Sequence, residues 1–241
     1  MEDRVYRRVK EIMEDFNFDD NTVRVFNNML TRSVPHYNEI QDMICEITKN
    51  FAQKHSNVYD LGCSTSNTLL NILRELARFP VTLIGIDNSE AMLKETRARL
   101  KRAGYLNKCR LLKKDLNDEM NFENASVIIS SLTLQFIRPI NREKLISEIY
   151  NGLNANGAFI LVEKIISDDP KVRRTFIELY HNFKLHKGYS KAEISRKRIA
   201  LENILIPYTY AENIKLLKKR GFRIIDEFFR WYNFCGILAV K

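Results

Sequence analysis

VYDLGCSTSN, residues 58–67, passes from an apolar pair into an acidic residue, a glycine and then small polar residues. The segment that follows, TLLNILRELARF, repeats its apolar residues at helical spacing, so the whole reads as a strand, a tight turn and a helix. A ligand over that turn meets a helix N-terminus, which by itself favours an anion. Asp60 reverses the preference, because a carboxylate inside the turn repels a pyrophosphate and favours a cation.

Four more β-branched runs follow: VTLIGID, CRLLKK, SVIISSL and AFILVEK. Helical segments lie between them, which predicts a mostly parallel sheet of five strands covered by helices. TLLNILRELARF is expected to stop at Pro80. SEAMLKETRARLKRAG carries Ser89 as its N-cap and Gly104 as its stop, and NREKLISEIYNGL carries Asn141 as its cap with Gly157 just beyond. The chain ends differently, in GFRIIDEFFRWYNF and CGILAVK, with a turn near Asn233 and no helix between them, so an antiparallel hairpin at the sheet edge is expected. Seven strands closed by such a hairpin give an α/β, Rossmann-like fold, the layout of S-adenosylmethionine-dependent methyltransferases.

Ligands of open parallel sheets lie at the carboxyl ends of the strands. The ends here form a set. Asp60 suits the ammonium or sulfonium of S-adenosylmethionine, directly or through water. Asp87, followed by Asn88, ends the second run and can accept both ribose hydroxyls. Asp115 can take the adenine amino group while the next backbone N–H, that of Leu116, donates to the ring. Ser130 and Ser131 end the fourth run beside the reacting end. Thr65 and Ser66 stand where many methyltransferases carry a further glycine, and Ser66 is expected to let a ligand approach, though less closely.

The 241 residues suffice for one large domain, and 45% hydrophobic residues with 8 Gly and 5 Pro exclude disordered and collagen-like classes. The expected division is a helical prefix (1–54), a nucleoside-binding core (55–166), a helical insertion (167–220) and the hairpin (221–241). In the prefix, Tyr37, Ile40, Ile44, Ile47 and Phe51 form an apolar stripe after Pro35. Neither a signal peptide nor a membrane-spanning run is evident, so a soluble, cytoplasmic protein without membrane contact is expected. The four cysteines form no C-x-x-C pair and the histidines no helical-face pair, so no metal site is expected. The net charge of +9 gathers in residues 173–198 and 215–224, read as solvated helical faces.

Beyond this class pattern, the chain resembles the carboxy-S-adenosyl-L-methionine synthases. The resemblance runs through RSVPHYNEI, VYDLGCS, IGIDNSEAM, ENAS, LTLQF, YHNFKLHKGYSKAEISRKRIALEN and WYNFCGILAVK. RSVPHY and KGYSKAEISRKRIALEN lie in the prefix and the insertion, outside the common fold. It implies a transferase that carboxylates the methyl group of S-adenosylmethionine, with prephenate as the carboxyl source and phenylpyruvate as the second product. The nucleoside product then serves a separate transferase acting on tRNA wobble uridine. It also implies a homodimer and no direct binding of tRNA.

The family's binding residues carry over to Tyr37, to Gly62, Cys63 and Ser64, to Asp87 with Asn88, and to Asp115 with Leu116. Ser131 falls near the reacting end, where the family carries Asn, and Arg198 on the transferred carboxylate. A guanidinium beside a sulfonium methyl is of little use to an ordinary methyltransferase, whereas it pairs with a carboxylate in a bidentate fork. No side-chain nucleophile is implied. His181 and Lys184 are candidates for prephenate carboxylates, while Glu163 is expected to be structural and Tyr189 and Trp231 to pack. Two other readings use the same residues: a conventional methyltransferase acting on RNA or a small acid, and a basic RNA-binding module with a dead nucleoside pocket.

Overall fold

The computed structural model describes residues 20–241; residues 1–19 of the expected helical prefix lie outside them. Two helices come first, α1 (Asp20–Ser33) and α2 (Tyr37–Phe51). The strands and helices that follow are β1 (Asn57–Leu61), α3 (Asn67–Glu75), β2 (Thr82–Asp87), α4 (Glu90–Arg102), β3 (Cys109–Lys113), β4 (Ala125–Ser131), α5 (Pro139–Gly152) and β5 (Leu153–Lys164). Three helices, α6 (Pro170–His186), α7 (Lys191–Leu201) and α8 (Tyr210–Lys219), then lead to the hairpin β6 (Ile224–Trp231) and β7 (Phe234–Val240).

The seven strands form one sheet in the order β3-β2-β1-β4-β5-β7-β6. β1 to β5 are parallel, and β7 runs antiparallel to both β5 and β6. The order reverses between β1 and β4, where Leu61 pairs with Ser130, and that reversal opens a crevice at the strand ends. Alternate side chains of β4 divide the core. Ile128 packs with Leu61, Ile86 and Ile149 on one face, while Val127 and Ile129 pack with Ile40, Ile44 and Leu69 on the other. The prefix stripe contributes there: Tyr37, Ile40 and Ile44 are buried, and Ile47 and Phe51 are half-buried.

Helix ends match the sequence where a capping side chain marks them. The Ser89 hydroxyl accepts from the Met92 N–H, and Gly104 follows α4 at φ +77°. Three expected ends are corrected. α3 ends at Glu75, well before Pro80, and a turn closed by the Phe79 N–H on the Leu76 carbonyl fills the gap. α5 begins at Pro139 with Arg138 in the cap position, so Asn141 lies in the first turn; proline at the first helical position needs no N–H partner there. Gly157 is no helix stop but an interior residue of β5, and the helix itself ends at Gly152. The hairpin turn falls at Tyr232 and Asn233, as expected. Among the described residues no helix is long and apolar enough to cross a membrane.

Candidate active site

The turn after β1 is built from left-handed backbone. Gly62 has φ +70°, Ser64 +40° and Ser66 +69°. At Gly62 a side chain would also run into Thr133, so glycine is required twice over. Ser66 is wholly buried as the residue before α3 and does not reach the cavity described below. The expectation that a ligand approaches it is corrected: the turn faces its ligand through Gly62, Cys63 and Ser64. The missing glycine is a matter of backbone strain, here held by local hydrogen bonds, since the Ser66 N–H donates to the Cys63 carbonyl and its hydroxyl to the Thr65 carbonyl.

Above this turn lies a cavity of about 550 Å³, a size suited to small metabolites. All ten binding residues that the resemblance implied line it: Tyr37, Gly62, Cys63, Ser64, Asp87, Asn88, Asp115, Leu116, Ser131 and Arg198; Ser130, expected beside Ser131, is buried outside it. α1 and α2 wall one side, the ends of β1 to β5 form the floor, and α6 and α7 close the rest.

One wall is acidic. Asp60 is 2% exposed, and its Oδ2 has no hydrogen-bond partner among the described residues. Burial, with the charge of Asp87 adding, pushes its carboxyl up to about 8. An orphaned buried carboxylate of this kind fits an ammonium, which would supply both the donor and the charge it lacks. Asp87 is better provided for. Its Oδ2 accepts from the Ser64 N–H and its Oδ1 from the Ser89 N–H, each at 2.9 Å, so it ties the β1 turn to the start of α4. Each oxygen keeps a second lone pair for a ribose hydroxyl. Burial alone would raise the Asp115 carboxyl, but the Asn117 backbone and side-chain donors, Asn88 and Arg138 outweigh it and hold it below its usual value. The Tyr37 hydroxyl accepts from Asn67 Nδ2 at 3.0 Å, which leaves its own hydrogen to donate into the cavity. Burial pushes that phenol up to about 12, so it remains protonated.

The opposite wall is basic. Lys164, His181, Lys184, Lys197 and Arg198 line it, and Lys184 and Lys197 are each only 7% exposed. Of residues 173–198, read as a solvated face, Arg174, Lys187, Lys191 and Arg198 are indeed exposed, and the reading is corrected only for the buried Lys184 and Lys197; the 215–224 stretch keeps its solvated face, with Lys215, Lys218 and Lys219 exposed. Arg198 lines the cavity of its own chain. Two of these residues, Lys164 and Lys197, were not singled out from the sequence. The signal for Lys164 was present, since it ends the fifth strand run just as the three aspartates end or follow theirs. Lys197 carried no signal beyond its place in a basic run.

Glu163, Tyr189 and Trp231 stay out of the cavity. Glu163 is buried beside Arg142, and burial pushes its carboxyl up to about 8 against the pull of that guanidinium and of the Gln135, Leu134 and Thr133 N–H groups. Tyr189 bonds Ser33 under the Arg32 guanidinium, and Trp231 packs among Tyr180, Phe183, Tyr232 and Phe234.

A family model described as a methyltransferase domain matches residues 58–157. Among solved structures, an O-methyltransferase family protein from Burkholderia thailandensis superposes with a TM-score of 0.69 at 16% identity, over 92% of this chain and 60% of that one, which is a likeness of fold. Sequence relatives are much nearer. The carboxy-S-adenosyl-L-methionine synthase of Methylococcus capsulatus is 45% identical over 239 residues, 99% of each chain, and that of Campylobacter fetus subsp. fetus is 43% identical over the full length of both. The chain therefore belongs to the carboxy-S-adenosyl-L-methionine synthase family of enzymes.

Proposed function

We propose that this enzyme converts S-adenosylmethionine and prephenate into carboxy-S-adenosylmethionine, phenylpyruvate and water. The observation that carries the reading is one cavity with a carboxylate, Asp60, whose Oδ2 has no partner among the described residues, on one wall and a guanidinium, Arg198, among buried ammonium groups on the other. Asp60 would take the ammonium of S-adenosylmethionine, Asp87 the ribose and Asp115 with Leu116 the adenine, with Ser131 toward the methyl group.

In this reading prephenate loses carbon dioxide and hydroxide as its ring becomes aromatic. The hydroxide removes a proton from the sulfonium methyl to give water and an ylide, whose carbon then bonds to the carbon dioxide. The new carboxylate pairs with Arg198 in a bidentate fork, and Tyr37 adds a hydroxyl donor. Such a scheme depends on positioning and on excluding water from the ylide, which is the use of a cavity roofed by helices. A homodimer in the cytoplasm, with the product passed to a separate enzyme that modifies tRNA wobble uridine, completes the proposal.

Mass spectrometry of a reaction containing both substrates tests it. A carboxylated nucleoside and phenylpyruvate are expected from the unaltered enzyme, and neither from Arg198→Ala that still binds S-adenosylmethionine. S-adenosylhomocysteine in their place would mean ordinary methyl transfer. Unchanged turnover in Arg198→Ala would remove that residue from the mechanism.

A further inference from the structure

Lys164 at the end of β5 and Lys184 on α6 both turn toward one aromatic ring. Their Nζ atoms lie 5.0 and 4.4 Å from the centroid of Tyr180, whose hydroxyl donates to the Ser33 carbonyl at 2.8 Å and so fixes the ring against α1. Among the described residues neither lysine makes an ion pair. The charges acting on Lys184 are those of Lys164, Lys197 and Arg198, all of its own sign. A buried cation without a counter-ion, as Lys184 is here, is costly, and a second cation acting on it adds to the cost. A π face offsets only part of that cost.

A third orphan completes the place. Asn233, in the hairpin turn and 5% exposed, lines the same cavity, and its Oδ1 accepts no hydrogen bond among the described residues. Its backbone carbonyl is held by the Ile165 N–H, one residue beyond Lys164. Two unpaired ammonium groups and one unpaired carbonyl acceptor are complementary to a ligand that brings negative charge and a hydroxyl.

We infer that Lys164, Lys184 and Asn233 form the binding site for the carboxyl donor, the two lysines holding carboxylate and the Asn233 carbonyl accepting from a hydroxyl, apart from Arg198, which receives the transferred group. The inference deepens the proposed function and rests on it. It places the donor between β5, α6 and the hairpin turn. Burial depresses both lysines, Lys164 to about 8 and Lys184, with its cationic neighbours adding, to about 7, so the empty site sheds its charge readily and a dianion restores it. The other titratable groups lining this side are His181, which burial and the neighbouring cations hold below its usual value, Lys197 and Arg198 on α7, and the exposed Glu202 just after that helix.

The test uses the full chain, S-adenosylmethionine and prephenate. Lys164→Met and Lys184→Met keep side-chain length and remove charge. Each should raise the KM for prephenate at least thirtyfold while calorimetric affinity for S-adenosylmethionine stays within twofold. A rise of less than tenfold in both variants overturns the site. Should the substitutions unfold the chain, the unaltered enzyme decides. At saturating S-adenosylmethionine, kcat/KM for prephenate reports ionisations of the enzyme that the donor meets. It should fall at least tenfold between pH 6.5 and 9 as the lysines lose their protons, and a flat profile overturns the site. An unaltered enzyme that makes no carboxylated nucleoside removes the reaction and this site together, whereas a working enzyme with indistinguishable variants removes the site alone.

Discussion

Among the described residues Asp60 is paired with nothing of opposite charge and it sits beside Asp87, so the empty protein holds its charged form at a cost. The carboxyl titrates near 8 in the folded chain, against about 3.9 when unfolded. Its folded value is raised, so the cost is absent below the unfolded value, grows as pH rises, and is complete above the folded one. Asp60→Asn should therefore raise the melting temperature of the ligand-free protein, with a gain that widens from pH 5.5 to pH 8. The same change should weaken S-adenosylmethionine binding at least tenfold. Calorimetric melting across that range, with titration of the ligand at pH 7.5, checks both, and a gain that does not vary with pH would show that the carboxylate is not carried at a cost. At this scale the sequence was readable where strand ends carry acids, because topology alone sends those ends to one crevice. Lys164 was legible by that same rule, whereas Asn233 and Lys197 escaped because a lysine or asparagine in a basic or turn segment looks the same whether it points to water or inward.

α7 is the element on which the basic wall turns, for it carries both Lys197 and Arg198. It begins with a reciprocal cap: Glu193 Oε2 accepts from the Ser190 N–H at 2.8 Å, and the Ser190 hydroxyl accepts from the Glu193 N–H at 3.2 Å. The Lys197 Nζ then reaches Ser33 Oγ on α1 at 3.1 Å. Removing such a cap costs about 1 kcal/mol. Ser190→Ala should lower stability by about that amount in denaturant unfolding and lower kcat severalfold, because α7 carries the Arg198 that receives the transferred group, while leaving S-adenosylmethionine affinity nearly unchanged, since the acidic wall stands on other elements. A matching loss of S-adenosylmethionine affinity would show that the helix start supports the whole cavity. An element start with a capping serine, such as Ser89, is legible in the sequence, whereas the start of α5 is not, because Asn141 looks like a cap but lies inside a helix already started by Pro139. The 3-10 turn Leu134–Phe136 left no periodic signal at all. It is held by Arg142, a buried guanidinium that donates to the carbonyls of Ile137, Gln135 and Ile206, and such a role cannot be told from an ordinary helix charge by pattern.

Across the whole molecule, α1 acts as a strap between two parts that the sheet does not join. Toward the β1 turn, Asn27 Oδ1 accepts from the Thr65 hydroxyl at 2.8 Å and from Asn67 Nδ2 at 2.9 Å. Toward the insertion, the Ser33 carbonyl accepts from Tyr180, and Arg32 Nε donates to the Lys187 carbonyl at 2.8 Å. Phe26, Met29 and Leu30 line the cavity between these anchors. A ligand that touches the turn, the strap and the insertion at once suppresses their local opening together, because each opening would uncover the same cavity. Amide hydrogen exchange with saturating S-adenosylmethionine should thus slow at least tenfold in residues 22–33 and 62–67. α8 and the outer strand β6 should change by less than twofold, for neither contributes a cavity-lining residue. Uniform slowing over the chain would instead mean global stabilisation without a strap, and slowing confined to residues 62–67 would mean that the helices above the cavity open independently of what it holds.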